Sequence, residues 1–153
     1  MADEQAEFDA LFGRLADDFR TDGWEARQEM PPQAYLHVSK PNWGDENMNA
    51  IHLEAYVLGG QLKSRSALVA LHCERGCPFQ EQFMRAFTER AAADIAAFPG
   101  GYAVLGPAGS SVCEVNVPFG ATAEETVARV AEELRRLQSL TPLIDDTIAK
   151  CQA

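Results

Sequence analysis

Residues 51–57 read IHLEAYV and residues 67–74 read ALVALHCE, and these two stretches decide how the chain folds. Side chains on a strand change face at every residue. Ile51, Leu53, Ala55 and Val57 therefore share one face, and His52, Glu54 and Tyr56 share the other. In the second stretch Ala67, Val69, Leu71 and Cys73 form an apolar row, with Leu68, Ala70, His72 and Glu74 opposite. A short hairpin centred near Lys63 makes the two stretches neighbouring antiparallel strands. In that register Glu54 lies opposite His72 and His52 opposite Glu74. Two His-x-Glu units then meet crosswise on one surface of the sheet.

Toward the N-terminus, Tyr35–Lys40 (YLHVSK) predicts a further strand with Leu36 and Val38 inward and Tyr35, His37 and Ser39 on the polar face. All three histidines, His37, His52 and His72, thus fall on polar strand faces. Trp24 to Met30 alternates weakly and reads as an edge strand stopped by Pro31-Pro32, because proline donates no ladder hydrogen bond. Phe8, Leu11, Phe12, Leu15 and Phe19 recur at helical spacing, so Asp3 to Phe19 reads as an amphipathic helix with acidic residues at its positive end. Pro41 to Asn49 (PNWGDENMN) has loop composition. Its Trp43 is expected either to fold back over the core or to meet a partner.

Toward the C-terminus, Glu74-Arg75-Gly76-Cys77-Pro78 turns the chain into a helix reaching about Phe98, with Pro78 at its first position and Phe83, Phe87, Ala91 and Ile95 buried. Pro99-Gly100-Gly101 ends it. Gly101–Leu105 and Ser111–Phe119 predict a hairpin around Gly106-Pro107-Ala108-Gly109. Thr122 followed by Glu125 is a capping-box signature for a long helix with the stripe Val127, Val130, Ala131, Leu134 and Leu137. Pro142 interrupts it, and Leu143, Ile144 and Ile148 continue as a short terminal helix. The expectation is one α+β domain over residues 1–153: helix, four strands, helix, two strands, long C-terminal helix. Its sheet is mainly antiparallel with helices on one face.

A chain of 153 residues buries roughly 70% of its unfolded surface on folding, enough for a core without staples. Its 13 basic and 23 acidic residues leave a net charge of -10. Phosphate backbones repel such a surface, so nucleic acid and anionic membranes are disfavoured as partners. No apolar run approaches the ~20 residues of a membrane span. The acidic start, MADEQAEF, lacks the basic and apolar regions of a secretory signal, and a cytoplasmic location is expected. Cys73, Cys77, Cys113 and Cys151 are too scattered for a disulfide framework. Cys73 and Cys113 occupy apolar rows as small hydrophobes. Cys73 and Cys77 form a redox pair only if their Cα atoms approach within ~7 Å.

Gly59-Gly60 lacks the context of a nucleotide-binding fingerprint, residues 106–111 (GPAGSS) read as a turn, and no serine stands in a nucleophile elbow. The histidines remain. Zinc and related metals take neutral imidazoles and carboxylates, and three ligands with an open fourth position describe a catalytic site. His37, His52 and His72, with Glu54 or Glu74 as ligand or base, supply such a set for a small hydrolase-type enzyme. The competing reading is an ordinary polar sheet face, where a cross-strand His–Glu pair contributes only ~0.2–1 kcal/mol.

The element order, size, acidity and long closing helix after Thr122 resemble the small acidic chaperones of type III secretion systems. That resemblance covers nearly the whole chain in architecture and rests on no motif. It implies a non-enzymatic, dimerising protein- or peptide-binding module acting through the free sheet face or an edge. In that reading Tyr35, His37, Trp43, His52, Glu54, Tyr56, Leu68, Ala70 and His72 form the binding surface, and Leu68 and Ala70 are its apolar contacts. The leading expectation is therefore a cytoplasmic homodimer that binds protein or peptide and needs no cofactor. The alternative is an enzyme with a divalent transition metal on the histidines and Glu54. A small-molecule sensor with Trp24 and Trp43 as pocket walls is the third.

Overall fold

The alternation of residues 51–57 and 67–74 is realised as the two central strands of a six-stranded antiparallel sheet. The computed structural model describes residues 2–44, 50–106 and 109–153. Its strands are β1 (Glu25–Gln28), β2 (Tyr35–Ser39), β3 (Ile51–Tyr56), β4 (Ser66–Cys73), β5 (Ala103–Val104) and β6 (Ser111–Pro118). The sheet order is β1-β2-β3-β4-β6-β5. The helices are α1 (Ala2–Thr21), α2 (Gly59–Ser64), α3 (Gln80–Ala96), α4 (Ala123–Gln138) and α5 (Thr141–Cys151).

All four apolar residues of the β3 row, Ile51, Leu53, Ala55 and Val57, are fully buried, as are Ala67, Val69, Leu71 and Cys73 of β4. Cys113, Val115 and Val117 extend the same layer along β6. α1 supplies Phe8, Phe12 and Phe19 to this layer, α3 supplies Phe83 and Phe87, and α4 supplies Val130, Leu134 and Leu137. α1 and α4 lie against each other and the sheet, and α3 pairs with α5. Each large side chain removed from water contributes ~1.5–3 kcal/mol, so the apolar rows explain why the helices collect on this face.

Four local readings change. The connection between β3 and β4 is not a plain hairpin but the six-residue helix α2. Arg65 follows it at φ 57°, a left-handed conformation that reverses the chain. Gln61 Oε1 accepts from the Leu58 N–H at 3.0 Å and anchors the entry. The pairing is consequently displaced by two residues: His52 faces His72 and Glu54 faces Ala70. A displacement of two preserves the face of every side chain. Pro78 precedes α3 instead of opening it, and β1 and β5 are shorter than predicted.

The closing helix follows its sequence signal. Thr122 Oγ1 accepts from the Glu125 N–H at 3.1 Å, while the Glu125 carboxylate reaches past Thr122 to the Ala121 N–H at 2.7 Å. Pro142 lies in the first turn of α5, where its missing N–H costs nothing. The predicted loop Pro41–Asn49 begins with a 3-10 turn over Pro41–Trp43, and its residues 45–49 lie outside the described residues, as do 107–108 of the predicted GPAG turn.

Candidate functional site

The second face of the sheet carries a row of rings. Tyr56 stacks on Tyr35 at 5.0 Å between centroids, Tyr35 on His37 at 5.1 Å, His37 meets His52 at 4.3 Å, and His52 meets His72 at 5.6 Å. The strands impose this order. Tyr35 and Tyr56 face each other across β2 and β3, and His52 and His72 face each other across β3 and β4. His37 lies one step along β2, diagonal to His52. Such flat rings shield one another and the sheet beneath. His52 is 0% exposed, Glu54 2% and His37 6%, and Ala70 is fully covered. The centre of this polar face is thus closed to water. Parity places side chains on a face but does not reveal that five neighbouring rings will cover it.

Glu54 is the hub of the row. Its Oε2 accepts the Tyr35 hydroxyl at 2.8 Å and lies 3.5 Å from His52 Nε2. Its Oε1 lies 3.0 Å from His72 Nε2. Burial pushes the Glu54 carboxyl up, but the His52 ring beside it, the charges of His72 and His52, and the Tyr35 hydroxyl outweigh it, so the group is held below its ordinary value. Burial and the Glu54 charge raise Tyr35, which stays protonated and donates.

Glu74 closes the cluster from the end of β4. Its Oε1 lies 2.9 Å from His72 Nδ1 and 3.6 Å from His52 Nε2. His52, Glu54, His72 and Glu74 thus present donor atoms all within 4.8 Å of one another. Of the predicted metal set, His52, His72 and Glu54 converge. His37 stands to one side, its Nε2 4.0 Å from Glu54 Oε2, and Glu74 completes the group in its place.

The remaining candidates separate from this cluster. Tyr35, Tyr56 and Leu68 are half-buried on the same face. Trp43 is not on it. It is 1% exposed, edge-on to Trp24 at 5.6 Å, with its indole N–H donating to Asp145 Oδ1 of α5 at 2.8 Å. The tryptophans therefore pack on each other, and of the two expectations for Trp43 the structure shows the fold-back over the core. A cavity of about 240 Å³ beside Trp43 is lined also by Ala50, Cys77 and Phe79, with Trp24 not among its walls. All four cysteines are free thiols. Burial, then proximity to Cys77, raises Cys73, and burial pushes Cys113 up to about 12. Thiols so shifted carry little thiolate, the reactive form, at neutral pH.

Two contacts escaped the sequence reading. The Tyr35–Glu54 hydrogen bond needs the β2–β3 register, for which shared polar parity was the only signal. The Trp43–Asp145 bond joins segments a hundred residues apart, and no local pattern announces it. No helix among the described residues is long and apolar enough to cross a membrane. Comparison of the chain with protein-family models, with curated proteins and with solved structures finds no match.

Proposed function

We propose that this protein binds a divalent transition-metal ion on the sheet face opposite its helices, at the cluster formed by His52, Glu54, His72 and Glu74. The observation that carries the reading is the convergence of these four side chains within 4.8 Å. An ion with tetrahedral nitrogen and oxygen ligands at ~2.0–2.2 Å has ligand-to-ligand edges of about 3.3–3.6 Å. His52 Nε2 stands 3.5 Å from Glu54 Oε2 and 3.6 Å from Glu74 Oε1, within that range, and His72 Nε2 is closer, 3.0 Å from the other Glu54 oxygen. Mixed imidazole and carboxylate donors suit zinc, copper, iron or nickel, whereas calcium and magnesium favour all-oxygen sets. A bound cation also offsets the cost of keeping the Glu54 carboxylate out of water. Such an ion lowers the pKa of bound water toward ~7, which makes hydrolysis the first activity class to screen. The test is elemental analysis of untagged protein, repeated on the His52→Ala/His72→Ala variant. Near-stoichiometric zinc, iron, nickel or copper that disappears in the variant supports the reading. Metal-free wild-type protein that also refuses added zinc overturns it.

A second reading is favoured by Leu68, Tyr35 and Tyr56, which leave part-exposed apolar surface beside the histidines. On it, the face docks a protein or peptide segment in a chaperone-like, dimeric, cytoplasmic protein without enzymatic activity. Its test is solution mass by light scattering for the wild type and for Leu68→Glu. A dimer that the charge dissociates supports it, and an unchanged monomer retires the dimeric form.

A further inference from the structure

We infer that Glu74 is not a ligand of the proposed ion but the outer carboxylate of an open three-ligand centre. His52 Nε2, His72 Nε2 and one Glu54 oxygen hold the ion, and the fourth position, beside Glu74, takes water or a small anion. The inference rests on the metal reading above and assigns roles within it.

The geometry of His72 decides the assignment. Its Nε2 faces Glu54 at 3.0 Å and its Nδ1 faces Glu74 at 2.9 Å. The two ring nitrogens point away from each other, so one ion reaches only one of them. Nε2 is on the side of Glu54, the buried carboxylate, while His52 Nε2 stands between the two acids, 3.5 Å from Glu54 Oε2 and 3.6 Å from Glu74 Oε1. An ion on the Nε2 side replaces the hydrogen that Nε2 shares with Glu54 in its absence, and the hydrogen left on Nδ1 donates to Glu74. A carboxylate accepting from the far nitrogen of a ligating histidine is the usual outer support of such centres. Glu74 at 2.9 Å is at hydrogen-bond distance from Nδ1.

The backbone and the exposure agree. Glu54 lies inside β3, 2% exposed, and is fixed by the Tyr35 hydroxyl at 2.8 Å. Glu74 lies one residue beyond β4, its N–H bonded to the Ala50 carbonyl and its own carbonyl accepting from the Cys77 N–H, both at 3.0 Å. Side-chain exposure rises from 0% at His52 through 17% at His72 to 27% at Glu74. The cluster therefore opens to water on the Glu74 side. A water on the ion there lies within reach of Glu74 Oε1, which is 3.6 Å from His52 Nε2. Glu74 is a positioning residue, acting through His72 and through that water.

The test uses the full chain, stripped with a chelator and loaded with cobalt(II), which reports its coordination in the visible spectrum. Sodium azide is the probe for the fourth position. Azide should change the wild-type bands saturably, and this readout needs no variant to fold. Cobalt affinity by chelator competition separates the roles. Glu74→Gln keeps an oxygen acceptor for His72 Nδ1 and should stay within about threefold of the wild type, while Glu74→Ala should fall ~10–100-fold, the usual cost of losing an outer partner. Glu54→Gln should fall further than either. An azide-silent wild type, or Glu74→Gln losing as much affinity as Glu54→Gln, would make Glu74 the fourth ligand of a closed site and overturn the inference alone. Wild-type protein that takes up no cobalt would overturn the metal reading with it.

Discussion

Replacing Glu54 by glutamine keeps the size and shape of the hub and removes its charge. At neutral pH the carboxylate accepts the Tyr35 hydroxyl at 2.8 Å and lies 3.0 Å from His72 Nε2. A hydrogen bond to a charged group contributes ~1.5–3 kcal/mol and a neutral one ~0.5–1.5, so two converted contacts lose roughly 2–3 kcal/mol. Relief from burying a charge acts the other way. Since the Glu54 carboxyl is held below its ordinary value despite burial, its contacts outweigh that burial. The net expectation is a loss of ~1–3 kcal/mol, or about 2–12 °C in Tm for a chain of this size. The sign of the pH dependence follows from the lowered value. Stability from such a carboxylate is fully present above its unfolded value, 4.5, and is lost as pH falls through the folded one. Urea unfolding of both proteins with a chelator present, followed by circular dichroism, should show curves that differ at neutral pH and converge in acid. A Glu54→Gln protein as stable as the wild type at neutral pH would show that the carboxylate's contacts do not outweigh its burial.

Tyr35→Phe removes the hydroxyl that donates to Glu54 and should cost ~1.5–3 kcal/mol in chemical denaturation. Tyr56→Phe, whose hydroxyl makes no hydrogen bond among the described residues, should stay within ~0.5 kcal/mol. Asp145→Ala deprives Trp43 and Asn42 of a shared acceptor at 2.8 Å. It should cost about 1–2 kcal/mol, discounted for the half-exposed carboxylate, and shift tryptophan emission to the red. Thr122→Ala removes the N-cap of α4 and should lower stability by ~0.5–2 kcal/mol, with Thr122→Ser near the wild type.

The sheet was legible because its central strands state their period in full. Residues 51–57 and 67–74 assign every side chain to a face, and the structure keeps each one there. Register was not legible, since it depends on the connection. Gly59–Ser64 coils into a helical turn that moves the pairing by two residues, and parity survives a shift of two while cross-strand partners do not. The site was therefore half visible. His52, His72 and Glu54 could be placed on one surface, yet their mutual distances, the exclusion of His37 and the role of Tyr35 required the β2–β3–β4 alignment. The depth of burial was the least legible feature, because it arises from rings on three different strands lying over one another. Trp43 was settled by Asp145, a residue far along the chain whose position follows only from the docking of α5.

The most direct measurement is X-ray absorption at the zinc edge of protein loaded with one equivalent of zinc. The expected spectrum has nitrogen and oxygen neighbours alone at ~2.0–2.1 Å, with the outer scattering of two imidazoles. A sulfur shell at ~2.3 Å would place the ion among the cysteines instead, and a spectrum of hydrated zinc would show that His52, Glu54 and His72 do not form a metal site.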